Sequence, residues 1–155
     1  MELTIAAVGK LRNRNLAGLV HEYERRIRHY YRLRIVEVPS ASKGDPEARR
    51  AVEGETLQAA VPKQARLWAL TRRGEGMTSR RLAWHLEQSA TYGGQDLAFL
   101  IGGAHGLPDS ILRRADVRLS LSPMTVPHEL ARLLLTEQLY RAGTLLRGEP
   151  YHKEP

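Results

Sequence analysis

The chain has 155 residues, a formal net charge of +7 at pH 7 and a hydrophobic fraction of 42%. This length and apolar content favour one folded domain, residues 1–155, and argue against global disorder. The absence of cysteine excludes disulfides and cysteine-ligated metal sites.

The sequence predicts a cytoplasmic protein. No apolar stretch approaches the roughly 20 residues that a membrane span needs, and the first residues, "MELTIAAVGKLRNRN", place the apolar run before the charges, the reverse of a signal peptide. The six histidines are scattered without ligand-like spacing, so we expect no metal. They stand at positions 21, 29, 85, 105, 128 and 152.

The basic charge favours a polyanionic partner, with nucleic acid as the main candidate. Eight basic residues crowd the first helical region, at positions 10, 12, 14, 25, 26, 28, 32 and 34. Arginine supplies 20 of the 24 basic residues, and solvated helix faces would account for many of them equally well.

The hydrophobic pattern alternates between strands and helices along the whole chain. Strands are predicted at 3–9, 33–39, 66–70, 97–103 and 117–122, and helices at 15–31, 45–61, 79–92, 109–115 and 127–146. Asp45 is a plausible N-cap, with Pro46 in the first helical position. This order predicts an α/β fold with a mostly parallel sheet flanked by helices.

Two helices show a defined apolar face. The predicted buried positions are Leu16, Leu19, Val20, Tyr23, Ile27 and Tyr30 in the first helix, and Leu82, Ala83, Leu86 and Ala90 in the third.

Ligands of open α/β sheets bind beyond the carboxyl ends of the strands. This rule selects the loops that follow Leu70, Ile101 and Leu121. The second loop, "IGGAHGLPDS", is neither a dinucleotide fingerprint nor a P-loop. Its glycines suit a tight turn and a ligand site equally, and His105 within it is expected to be exposed.

The third loop lies in "LSLSPMTVPHELARLLL", residues 119–135, between two prolines that fix φ and lack amide donors. The backbone groups between the prolines need partners, and a rigid turn of this kind can hold a heterocycle such as adenine. A helix start capped by Thr125, with Pro127 in the first helical position, explains it as well. For Glu129, early in that helix, we expect a structural role, whereas for His128 capping and exposure compete with catalysis.

The tail "RGEPYHKEP" is too polar to fold alone and is either frayed or docked at a site. Its own composition favours fraying.

The motifs "FLIGGAHGL", "LSLSPMTVPHELARLLLTEQLYRAG" and terminal "PYHK", at this spacing over essentially the whole chain, resemble the SPOUT-class ribosomal RNA large subunit methyltransferase H family. The resemblance implies a homodimer with a C-terminal trefoil knot, in roughly residues 66–155, that uses S-adenosylmethionine (SAM) to methylate N3 of a pseudouridine in 23S ribosomal RNA. We expect the assembled ribosome to be the substrate.

The resemblance also implies the cofactor contacts by motif position. They are Leu70, Gly103, Ser122, Pro123, Met124, Thr125, Val126 and Pro127. The chain departs from the family at Thr71, where relatives usually carry an acidic residue, and at the helix start "TSRR". Because of these departures, the cofactor contacts assigned to the loop after Leu70 rest least on the resemblance.

Methyl transfer to an imide nitrogen needs alignment and removal of a proton. We expect His152 to be the base or proton relay, because its ordinary pKa lies near neutrality. Arg141 and Lys153 would stabilise the base anion or bind phosphate, and Tyr151 would position the nucleotide. A noncatalytic RNA-binding or ribosome-binding factor and a SPOUT methyltransferase acting on another RNA are the alternatives.

Overall fold

The computed structural model describes residues 1–151. Its elements, in chain order, are β1 (Glu2–Val8), α1 (Arg14–Ile27), β2 (Arg32–Val38), α2 (Pro46–Ala60), β3 (Arg66–Gly76), α3 (Ser79–Thr91), β4 (Leu97–Ile101), α4 (Asp109–Arg114), β5 (Val117–Ser120) and α5 (His128–Leu146). The five strands form one sheet in the order β2-β1-β4-β3-β5. Every pairing in it is parallel, as the alternating pattern predicted.

Helices cover both faces of the sheet. The central strands β1 and β4 are buried almost throughout, which is why their sequences are continuous apolar runs rather than alternating ones. One face carries α1 and α3, each packed on α5, and the other carries α2 and α4. The carboxyl ends of all strands therefore open at one edge, between these two helical layers.

The predicted first helix is too long, because α1 ends at Ile27. The amides of Tyr30 and Tyr31 both donate to the carbonyl of Ile27 (2.9 and 3.0 Å), forming a turn that leads into β2. Tyr30 packs from this turn against Gly143 of α5, where an added Cβ would lie 2.6 Å from the ring. Tyr30 therefore matches the apolar spacing of the first helix because it packs against α5, although α1 has already ended.

Two predicted core positions are wrong. Leu19 of α1 is 47% exposed, and Ala90 of α3 is exposed while its neighbour Ser89 is buried. Both errors lie at the margins of helix faces, where a rotation by one residue exchanges inside and outside.

The predicted loop after Leu70 is largely strand. β3 continues to Gly76, and both Leu70 and Glu75 pair with Leu119 of β5, so the residues between them form a bulge. Gly74 makes the close approach possible, because an added Cβ would lie 2.5 Å from the carbonyl oxygen of Arg118. Pairing with β5 thus overrides the polar, glycine-rich composition of "TRRGEG".

Candidate active site

A cleft of about 420 Å³ opens at the carboxyl edge of the sheet. The three loops selected from the sequence converge on it. Its lining includes Leu70, Thr71, Arg72 and Arg73 from β3, residues 101–107 from the glycine loop, and Leu119, Leu121, Ser122, Met124, Thr125 and Val126 from β5 and the turn after it. Arg50, Asp109, Leu112, His128 and Ala131 complete it from the helices.

The glycine loop closes tightly on itself at the cleft. The amide of Gly106 donates to the carbonyl of Gly103 (3.0 Å), and Gly106 has a positive φ of +77°. An added Cβ on Gly102 would lie 2.5 Å from the carbonyl carbon of Gly106. The segment is therefore a tight turn and also a cavity wall, so the two interpretations of it are compatible. His105 is exposed, as expected.

Substitution of Gly102 by alanine should distort this wall, because only backbone lies within reach of the new methyl group. We expect a loss of about 1–3 kcal/mol in the free energy of unfolding and a fall in the affinity for SAM. Gly18→Ala is the matched control: it adds the same methyl group in α1 with nothing within 4 Å, and should stabilise slightly. Equal behaviour of the two variants in chemical denaturation would contradict the crowding argument.

The turn between the prolines is held by a hydrogen bond from one of its backbone amides to one of its side chains. Ser122 Oγ accepts from the amide of Met124 (3.0 Å), which leaves Met124 75% exposed at the cleft. The predicted Thr125 cap is wrong: Pro127 occupies the N-cap position of α5, with no side-chain cap hydrogen bond. Two proline rings fix this helix start where a side-chain cap would otherwise do so. Two of the predicted cofactor contacts, Pro123 and Pro127, are not among the described residues that line the cleft.

The first turn of α5 is fastened to the segment after β1. Glu129 Oε1 accepts from the amides of Arg12 and Asn13, the latter at 3.2 Å. These two backbone donors hold the pKa of Glu129 below its ordinary value of 4.5. Its expected structural role fits these contacts. His128, the preceding residue, lies in the cleft wall.

This contact should contribute stability that depends on pH. Because the folded-state pKa is lowered, the contribution is present above 4.5 and is lost as the pH falls through the folded value. Glu129→Gln should therefore be less stable than the unsubstituted protein at about pH 7, and the difference should shrink as the pH falls below 4.5 and through the folded-state value. Urea denaturation of both proteins across this range measures the difference, and a gap that is independent of pH would argue against the carboxylate's role.

Two of the predicted catalytic residues, Arg141 and Tyr151, do not line the cleft of their own chain. Arg141 Nη2 and Nε bind Glu137 Oε1 (2.6 and 3.0 Å), on the part of α5 remote from His128. Thirteen residues of helix separate Arg141 from His128, which corresponds to about 20 Å. His152 and Lys153 lie outside the described residues.

Tyr151 is docked, contrary to the fraying that its composition favoured. Its hydroxyl donates to Glu137 Oε1 (3.1 Å) and lies 3.2 Å from the hydroxyl of Tyr23. Its ring stacks edge-on against Tyr140 (centroids 4.7 Å apart), and the guanidinium of Arg141 lies over it at 5.0 Å. Burial raises the pKa of Tyr151, and hydrogen bonding to Tyr23 adds to this effect, so the phenol donates hydrogen bonds at neutral pH and does not serve as a base.

Sequence reasoning missed the helical part of the cleft. Arg50 and Asp109 come from α2 and α4, and the open-sheet rule considers only loops. One signal was available for Arg50: Gly54 stands within the same helix, one turn later, and a glycine there marks a close approach.

The described residues contain no cluster of three metal-binding side chains. Within residues 1–151, none of the helices combines the length and hydropathy of a membrane span.

Comparison with known proteins decides the family. A family profile described as "Predicted SPOUT methyltransferase" matches residues 1–152. The chain belongs to the SPOUT methyltransferase family. Within it, the chain is 46% identical over 154 residues to a protein of Anaeromyxobacter dehalogenans named ribosomal RNA large subunit methyltransferase H, with 99% of this chain and 100% of the relative covered.

Solved structures agree on the SPOUT fold. A Bordetella pertussis protein named as a probable methyltransferase superimposes with a TM-score of 0.55 at 15% identity, covering 92% of this chain and 93% of the other. A Legionella pneumophila protein, solved in complex with the bound cofactor SAM, gives a TM-score of 0.50 at 13% identity, covering 92% and 66%. The sequence resemblance to this family is confirmed.

Proposed function

We propose that this SPOUT methyltransferase transfers a methyl group from SAM to N3 of a pseudouridine in 23S ribosomal RNA, on the assembled ribosome in the cytoplasm. The observation that carries the proposal is the convergence of the three strand-end loops on one cleft. The family membership and the name of the relative that matches the full chain support it.

The cleft fits a nucleoside cofactor. Its volume lies in the usual range for small-molecule sites, about 300–1,000 Å³. Where Gly102 and Gly106 approach each other, the wall of the cleft consists of backbone without side chains. Leu70, Gly103 and the turn from Ser122 to Pro127 would hold SAM, with the prolines acting through the fixed backbone. SAM supplies an electrophilic methyl group on its sulfonium, and the protein's task is then alignment of the accepting nitrogen and control of its proton.

The substrate side of the reaction falls to the tail. His152 would take the N3 proton directly or through a relay, and Arg141 and Lys153 would stabilise the resulting anion or bind phosphate. Tyr151 would position the base as a hydrogen-bond donor, a role that its raised pKa allows.

We infer that the tail acts on the cleft of a second copy. Tyr151 is anchored beside Tyr140, near the far end of α5, while His128 and Ala131 of the same helix line the cleft. Along the helix, Tyr140 lies nine residues from Ala131 and twelve from His128, which corresponds to about 14 and 18 Å, so Tyr151 sits away from the cleft of its own chain. We therefore propose a homodimer in which each cleft receives the partner's tail, and a single domain, residues 1–155, knotted in roughly residues 66–155.

The test of the proposed reaction is transfer of labelled methyl from SAM to large-subunit RNA. We expect label in the RNA when the protein is present and none when it is absent. Unlabelled RNA from a reaction in which calorimetry shows bound SAM would contradict the proposal.

A further inference from the structure

Arg50 is a cation without a partner in the wall of the cleft. The structure gives its guanidinium no hydrogen bond or ion pair within residues 1–151, and its Nε is secluded from solvent. Arg132, by contrast, binds Glu24 and Glu37 through its two Nη atoms, and Arg81 binds Glu75, although Nε of Arg132, like that of Arg50, has no acceptor among the described residues.

The fold holds Arg50 in this place. Gly54 lies one turn later on the same face of α2 and allows Pro108 to approach so closely that an added Cβ would lie 2.4 Å from its Cγ. This contact presses α2 against the start of α4, beside the glycine loop. Arg50 and His128 therefore mark two sides of the cleft, since α2 and α5 cover opposite faces of the sheet.

An unpartnered guanidinium in a partly buried wall requires an acceptor, because a secluded N–H without one is costly. The planar arginine fork matches a carboxylate through two parallel hydrogen bonds. Asp109 lies in the same wall, but within residues 1–151 no hydrogen bond or ion pair joins it to Arg50. The site is thus prepared for a small anionic group from a ligand.

SAM carries one anionic group, the carboxylate of its methionine part. We propose that Arg50 binds this carboxylate and so selects a ligand that carries the amino acid over one that carries only the thioether nucleoside. The inference rests on the proposed function, because it requires SAM to be the ligand of this cleft.

The test compares two ligands in the absence of RNA. S-adenosylhomocysteine keeps the carboxylate, and 5′-methylthioadenosine lacks the amino-acid end. By isothermal titration calorimetry, Arg50→Met should weaken binding of S-adenosylhomocysteine by about 10- to 100-fold, the usual value of a charge-assisted hydrogen bond, and leave binding of 5′-methylthioadenosine unchanged. Arg50→Lys, which keeps the charge but not the fork, should lie between.

Arg113→Met is the matched control. Arg113 is an exposed arginine of α4 outside the cleft lining, and its loss changes the net charge equally, so neither ligand should respond. Unchanged retention of 5′-methylthioadenosine shows that Arg50→Met still folds.

Three results would overturn the inference. An equal loss for both ligands would make Arg50 a wall residue without ligand selectivity. No loss for either ligand, with weaker binding of ribosomal RNA, would assign Arg50 to an RNA phosphate. A protein with its natural sequence that binds neither ligand would overturn the proposed function together with the inference.

Discussion

Removing residues 151–155 should abolish methyl transfer to ribosomal RNA while leaving SAM binding largely unchanged. The cleft that would hold SAM is built from the loops after β3, β4 and β5, and Tyr151 is docked against Tyr23 and Tyr140, away from it. The deletion takes away the proposed base His152 together with Tyr151 and Lys153, and it removes none of the described residues that line the cleft. Transfer assays and calorimetry on the same preparation measure the two effects.

Mixing two differently inactivated variants distinguishes catalysis within one chain from catalysis by residues of both chains of a dimer. A chain lacking residues 151–155 should be inactive, and a full-length chain with Gly102→Ala should be nearly inactive at a SAM concentration below its weakened affinity, whereas their mixed dimer should recover one working cleft. We expect activity to return after exchange of subunits, with exchange verified by mass spectrometry of the intact dimer. Continued inactivity of verified mixed dimers, or full activity of the truncated chain, would contradict the assignment of the tail to the partner's cleft.

Replacing Arg132 by methionine should lower the free energy of unfolding by about 3–5 kcal/mol, because it leaves the buried carboxylate of Glu24 without a counter-charge. Arg132 is 2% exposed. Its Nη2 donates to Glu24 Oε1 (3.0 Å) and its Nη1 to Glu37 Oε1 (2.7 Å), joining α5 to α1 and β2. The group therefore fixes the helix that carries His128 onto the sheet.

The matched control is the exposed ion pair between Arg81 and Glu75 (2.7 Å), whose side chains are 52% and 54% exposed. Arg81→Met should cost less than about 1 kcal/mol. Replacing Arg132 and both acids together by apolar residues should recover much of the loss, since no unpaired charge remains. A loss for Arg132→Met no greater than that of the control, in urea denaturation, would show that the buried network is not stabilising.

The fold follows from sequence wherever a local rule decides it. Asp45 caps α2 through the amide of Ala48 (2.8 Å), with Pro46 in the first turn, as predicted. Five strands separated by helices required crossover connections, and all pairings are parallel. The order of the strands is a matter of tertiary packing, and no local pattern contains it.

The errors arise where distant contacts override local composition. The bulged end of β3 is strand because β5 pairs with it, and Tyr30 belongs to a turn because Gly143 receives its ring. The buried Arg132 network was not predicted, since an arginine in a helix is ordinarily read as solvated.

The sequence predicted the loops of the candidate site but not the residues that helix packing brings to it. The open-sheet rule found three loops that meet at the cleft, because strand ends gather at one edge. It could not place Arg50, which reaches the cleft through helix packing. Nor could it place Tyr151, which docks beside Tyr140 and does not line the cleft.

Transfer of labelled methyl from SAM to assembled ribosomes, prepared with and without the target pseudouridine and compared with naked ribosomal RNA, tests the central claim most directly. We predict label only on ribosomes that contain the pseudouridine, and recovery of that label as N3-methylpseudouridine after digestion. Label on both kinds of ribosome would place the methyl group at another position. No label on any sample, with SAM binding also absent, would contradict the account and leave a noncatalytic RNA-binding factor.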